Sequence, residues 1–181
     1  LFGKRMTVKF SDVTDGLSQT IAVTEIVRPM YSGDSTCSAL GAVGGGVEPC
    51  AAVTWGAVNP NDKTTPSSCY TKFSGGTWSI ASVLPYGRSA GTRYCDGRSS
   101  SVAFNTILPP NSGSCNNNTG DGIYSVQSRH VRGVNGVMAD GAVVFIDETI
   151  DSGARVGNLT SSQLQQPSPY GVWGAMGSRA D

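Results

Sequence analysis

Two apolar runs, residues 134–139 (Val-Asn-Gly-Val-Met-Ala) and 142–146 (Ala-Val-Val-Phe-Ile), are separated only by Asp140-Gly141. Apolar runs flanking an Asp-Gly pair are the strongest local hairpin signal in the chain, and Asp-Gly suits the positive φ angles of a type I′ turn. A second strand is predicted over residues 21–27, where Ile21, Val23 and Glu25 alternate with Ala22, Thr24 and Ile26 and β-branched side chains dominate. Residues 4–10 alternate in the same way. Between these two runs, residues 12–18 read as a turn followed by a short helical turn, with Ser11, Asp12 or Asp15 placed to accept exposed backbone N–H groups.

Elsewhere the pattern is broken. The 181-residue chain carries 24 glycines, and only 14% of its residues are charged, a balance that favours turns and short strands over long exposed helices. From Pro29 to about Ser79 breakers dominate, among them Gly44-Gly45-Gly46, Pro49, Pro60, Pro66 and Gly75-Gly76. Short strands are expected at 51–55, 78–83 and 101–107, and a polar loop at 109–122, where Asn116, Asn117 and Asn118 precede Asp121-Gly122. Residues 160–166 suit a short helix or an irregular packing segment ending before Pro167, after which Tyr170 and Trp173 read as local packing, with docking of the C-terminal tail onto the sheet as the alternative. The expected fold is α+β and mostly β: one globular domain over 1–181, with an antiparallel or mixed sheet and a loop-rich elaboration over 29–120.

Cysteines at 37, 50, 69, 95 and 115 are too dispersed for a zinc ribbon or an iron–sulfur site. Set in Gly-, Ser- and Asn-rich sequence, Cys37, Cys50, Cys69, Cys95 and Cys115 are read as two disulfides and one spare thiol in an oxidising compartment, with the pairing left open. Thirteen basic and thirteen acidic side chains cancel, so nothing in the overall charge attracts nucleic acid or an anionic membrane. The scatter of Arg88, Arg93 and Arg98 near Tyr86 and Tyr94 is interrupted by Asp96 and reads as a solvated loop.

His130 is the single histidine. It is a candidate base or metal ligand by type, yet no Gly-x-Ser-x-Gly elbow and no His-Glu-x-x-His spacing accompanies it. The reading is therefore a structural hydrogen bond, and no catalysis is expected; a hydrolase would need a nucleophile or paired carboxylates beside His130. Asp-Gly pairs at 15–16, 96–97, 121–122 and 140–141 suit turns first, with Asp121, Asp140 and Asp147 as calcium candidates. No cofactor is required. Asn117-Asn118-Thr119 and Asn158-Leu159-Thr160 fit the acceptor pattern for Asn-linked glycosylation and point to accessible loops.

Three segments together resemble the prepilin-like protein family of planctomycete type. His130 is followed after nine residues by Asp140-Gly141 and then 142–146; Asp15-Gly16-Leu17-Ser18-Gln19-Thr20 leads to Glu25; and the tail from Tyr170 through Trp173 to Asp181 is similar to the family's closing Trp-containing segment. The resemblance implies a pilin- or pseudopilin-like structural subunit, extracellular or in the cell envelope, that works by protein–protein assembly. His130, Asp140 and Gly141 would shape the hairpin, and Asp15, Gly16 and Glu25 the early turn and strand. Relatives carry a cleavable leader and a long hydrophobic helix upstream; the chain opens at Leu1 in strand-like sequence, and the expectation is the globular part alone, with membrane contact only through that helix. Some pseudopilins of secretion systems hold calcium in their C-terminal region. Partners implied are other subunits or envelope proteins, in a homo-oligomer or larger assembly, without nucleic acid. The alternative is a secreted module binding carbohydrate or another ligand, with Trp55, Trp78, Tyr86 and Tyr94 as stacking platforms.

Overall fold

The structure is a computed structural model, and it describes residues 7–27, 55–56, 66–74, 77–78, 95–97, 99–116, 122–153 and 167–178. In chain order the elements are a 3-10 turn Phe10–Asp12, β1 (Ile21–Thr24), β2 (Trp55–Gly56), α1 (Pro66–Lys72), β3 (Phe73–Ser74), β4 (Thr77–Trp78), α2 (Ser99–Val102), β5 (Cys115–Asn116), β6 (Gly122–Ile123), β7 (Gly133–Met138), β8 (Val143–Asp147) and α3 (Gly171–Gly177). This is a mixed α+β fold, mostly β, as the sequence pattern predicts.

The principal sheet has the order β1-β7-β8 and is antiparallel throughout. β7 and β8 are the expected hairpin, with Val137 opposite Val143 and Gly133 opposite Asp147. The turn is not type I′, however. Met138 N–H donates to Ala142 O and Gly141 N–H to Met138 O, which makes a three-residue loop, Ala139-Asp140-Gly141. Only Gly141 in that loop has positive φ, at 92°. A type I′ turn would need it at Asp140 as well; the loop is instead a turn closed by a left-handed glycine, the usual three-residue hairpin solution. Asp140 contributes through its side chain, which accepts Ala142 N–H at 2.9 Å.

β1 joins β7 with Ile21 opposite Met138 and Val23 opposite Val137, so one extra residue, Ala22, bulges. The bulge leaves Ile21 on the inner face and Val23 on the outer one. On the inner face Ile21, Val134, Met138 and Ile146 form a core with Val126 and Trp173, and Phe104, Val144, Ile150 and Met176 pack at its margin. Trp173 is fully buried, and its indole N–H donates to Leu108 O at 2.8 Å. Tyr170, likewise buried, precedes α3, so this aromatic pair docks the tail on the sheet and does more than pack locally.

Other local expectations fail for identifiable reasons. Of residues 4–10, those described make no strand: 7–9 are irregular, and Phe10 opens the 3-10 turn, closed by Lys9 N–H donating to the Asp12 carboxylate at 2.9 Å. Residues 101–107 are not a strand either; the serine run 99–101 enters α2, and 103–107 are irregular. Residues 109–114 are the expected loop, without helix or strand, and β5 begins at Cys115, but the segment does not lie open to solvent. Except for half-buried Asn111 they are buried, because their polar groups find partners inside the protein, as described below. Of the candidate strands at 51–55 and 78–83 only Trp55 and Trp78 are described, and each lies in a strand, Trp55–Gly56 and Thr77–Trp78; the other residues of both lie outside the described ones.

Cys69 and Cys115 form a disulfide that ties α1 to β5. Cys95 is free and exposed; Cys37 and Cys50 lie outside the described residues, as do residues 117–121 and 154–166. Among the described residues no helix is long and apolar enough to cross a membrane.

Candidate functional site

The early segment and the His-to-Asp-Gly segment meet in the structure. Gly16, at φ 95°, turns the chain so that its carbonyl accepts Gln19 N–H and the Thr20 hydroxyl. Leu17 O then accepts Asp140 N–H, and Thr20 O accepts Ala139 N–H at 2.7 Å. The Asp15-Gly16 turn is thereby fastened to the hairpin tip.

At the other end of β1, Glu25 fastens the strand a second time. Its backbone N–H donates to Asn135 O, while its carboxylate accepts Asn135 N–H at 2.8 Å and the Asn135 side-chain amide at 3.1 Å. His130 Nε2 stands 3.1 Å from the same carboxylate. A carboxylate only accepts, so the hydrogen bond requires the proton on Nε2. Burial pushes the Glu25 carboxyl up, but the two Asn135 bonds and the nearby imidazole outweigh it and hold the group below the usual glutamate range.

The loop carrying His130 is closed by its own polar groups. Ser128 hydroxyl donates to Gly133 O at 2.6 Å and accepts His130 N–H, while Ser128 N–H donates to the Asn111 side chain. Asn111 also reaches Glu148 at 3.4 Å. The cluster is a clasp: His130 and Glu25 remain substantially exposed, at 55% and 36%, and every polar contact described serves to hold β1, β7 and the loop together. Asn135 and Ser128, both central to it, carried no role in the sequence reading. The available signal was a polar residue interrupting an apolar strand pattern.

The calcium candidates do not converge. Asp140 sits at the hairpin tip and Asp147 at the far end of β8, where its carboxylate accepts the Thr149 hydroxyl and N–H, bonds that hold it below its ordinary value. Asp121 lies outside the described residues. Among the described residues no three His, Cys, Asp or Glu side chains gather as a metal site would need. Tyr86 and Tyr94 also lie outside the described residues, and for Trp55 and Trp78 only the backbone is described.

A cleft of about 340 Å³ lies along β1. Residues 21–24 and 26 form one wall and residues 102–106 another, with Gly177 completing it, and no described lining side chain is charged. Of the polar lining side chains Thr24, Asn105 and Thr106, two are engaged: Asn105 bonds Gly122 O and Tyr124 N–H, and the Thr106 hydroxyl bonds Gly174 O. The cleft is an uncharged slot of mixed apolar and polar lining, along the edge of β1 that no described strand pairs.

Residues 1–153 match the family model labelled SBP_bac_10 and described as "Protein of unknown function (DUF1559)". The chain belongs to this family. The matched stretch contains β1, the clasp, the hairpin and all but Gly177 of the cleft, and ends before α3 supplies Trp173. No curated protein and no solved structure matches the chain.

Proposed function

We propose that this DUF1559 member is a non-catalytic extracytoplasmic module that binds an uncharged ligand in the cleft beside β1. The observation that carries the reading is the cleft itself: its size lies within the range of small-ligand sites, its described walls carry no charge and are mostly apolar side chains, and two of its three polar side chains, Asn105 and Thr106, already have partners. The Cys69–Cys115 bridge supports an oxidising compartment. Binding chemistry of this type favours an apolar group over a carbohydrate, since Phe104 is the cleft's single aromatic.

A titration of the labelled protein with indole, followed by backbone amide shifts, tests the reading. Saturable shifts at 21–26 and 102–106, abolished by Ala103→Phe, are expected. Shifts confined to other surfaces, or none, would overturn it.

A second reading, a pilin- or pseudopilin-like subunit that assembles with protein partners in the cell envelope, is favoured by a different observation. The outer face of the sheet exposes Val23, Val143 and Phe145, an apolar surface of the kind that protein interfaces cover.

A further inference from the structure

Among the described residues β8 is an edge strand, since the sheet order is β1-β7-β8. Met138 N–H donates to Ala142 O and Glu148 N–H to Arg132 O. In an antiparallel ladder the bonding residues alternate, so Ala142, Val144, Ile146 and Glu148 face β7. Val143 and Phe145 turn their N–H and C=O groups away from β7, to an edge that no described strand pairs, whereas Asp147 O is already taken by Ile150 N–H.

Exposed edges are normally blunted by lysine, proline, a bulge or an inward charge. Residues 142–146 have none of these. Val143 is 69% exposed and Phe145 53%.

From this we infer that β8 pairs with β8 of a second copy about a two-fold axis at Val144, joining two three-stranded sheets into one. An antiparallel register centred there sets Val143 against Phe145 of the other copy, and Phe145 against its Val143. Both residues of each pair present outward-pointing backbone groups, so the two pairs supply four N–H···O bonds. The side chains on the outer face then form aromatic–β-branched cross-strand pairs, which are favourable. On the inner face Val144 meets Val144, and Ala142 meets Ile146. Asp147 falls opposite Gly141, so no like charges oppose one another along the strand. The chain's formal net charge of zero adds no long-range repulsion between copies. The occupant is a second copy because this edge is self-complementary under a two-fold axis, the commonest symmetry of oligomers. The pairing uses the opposite edge of the sheet from the cleft, and it stands whether or not the cleft binds a ligand.

Sedimentation velocity across a concentration series measures the association. The wild-type protein is expected to form a two-chain species. Val143→Lys with Phe145→Lys places like charges opposite each other in both pairs and is expected to weaken association by about tenfold or more, with the thermal midpoint of the monomer retained because both positions are solvent-exposed. Val143→Lys alone provides the milder version. The register has its own readout: Val144→Cys, in a Cys95→Ser background, places two thiols across a non-hydrogen-bonded pair with Cα atoms about 4.5 Å apart, within disulfide reach, and oxidation should yield a covalent dimer. A wild-type protein that stays monomeric to about 1 mM, or a double-lysine variant that dimerises as tightly as wild type, would overturn the inference.

Discussion

The inner face of the β1-β7-β8 sheet and the strip formed by residues 105–115 running beside 122–128 are both largely buried, yet they are held by different means. The sheet uses a backbone ladder and a row of apolar side chains: Ile21, Val134, Met138 and Ile146 all face Trp173. The strip is joined largely by side chains acting as substitutes for a ladder. The Asn105 side chain bonds Gly122 O and Tyr124 N–H, Ser114 hydroxyl accepts Ser125 N–H, Ser125 hydroxyl donates to Gly113 O, and the Gln127 amide donates to Ser112 O. Buried polar groups are tolerated when each finds a partner and are costly when one does not. A sheet of this kind therefore degrades gradually as apolar contacts are trimmed, whereas the strip depends on each individual bond.

Trp173 ties the two regions together, beside Val126 of the strip, which shares the sheet's core: its ring fills that core while its indole N–H satisfies Leu108 O in the strip. Trp173→Ala should therefore have the largest effect, about 3–5 kcal/mol by chemical denaturation. Trp173→Phe keeps most of the apolar ring but leaves the Leu108 carbonyl without its donor, and about 1–2 kcal/mol is expected. Equal losses in the two variants would show that the hydrogen bond, not the packing, couples the regions.

Breaking the strip alone sharpens the contrast. Cys69→Ser with Cys115→Ser opens a bridge spanning 46 residues, and chain-entropy arguments put its contribution at about 4 kcal/mol. Hydrogen exchange should show the amides of Ser125 and Gln127 losing protection before those of Val134 and Met138. Simultaneous loss in both places would mean the two regions open as one cooperative unit.

The sheet was legible in the sequence because its signals are local and mutually consistent: period-two alternation, β-branched residues, and a turn pair between two apolar runs. Even there the turn type was misread, since the Asp-Gly pair does not reveal whether one residue or two adopt positive φ; the ladder bond from Met138 to Ala142 decides it. The strip was illegible for the opposite reason. Asn105, Ser112, Ser114 and Gln127 look like loop composition, and nothing local distinguishes a polar side chain facing water from one bonded to a distant backbone group. The clasp is half legible: the resemblance singles out Glu25 and His130, while Asn135, which donates two bonds to the carboxylate, lies within a strand pattern that carries no local sign of that role. The cleft was not legible at all, because its walls are 75 or more residues apart in the chain.

Glu25 tests whether the sheet, too, relies on a single polar group. Its carboxyl titrates below the usual glutamate range in the folded protein, since the Asn135 bonds and His130 outweigh the upward push of burial. A carboxyl lowered on folding stabilises the native state fully above its unfolded value, and that contribution disappears as pH falls through the folded one. Comparing wild type with Glu25→Gln at a series of pH values should thus show a difference of about 1 kcal/mol at neutral pH, kept small because the side chain is partly exposed and the glutamine can still accept one Asn135 bond. The difference should close progressively below the ordinary glutamate range. A gap that persists undiminished into strong acid would assign the effect to geometry instead of charge, and would place the clasp with the strip, as a site held by individually required hydrogen bonds.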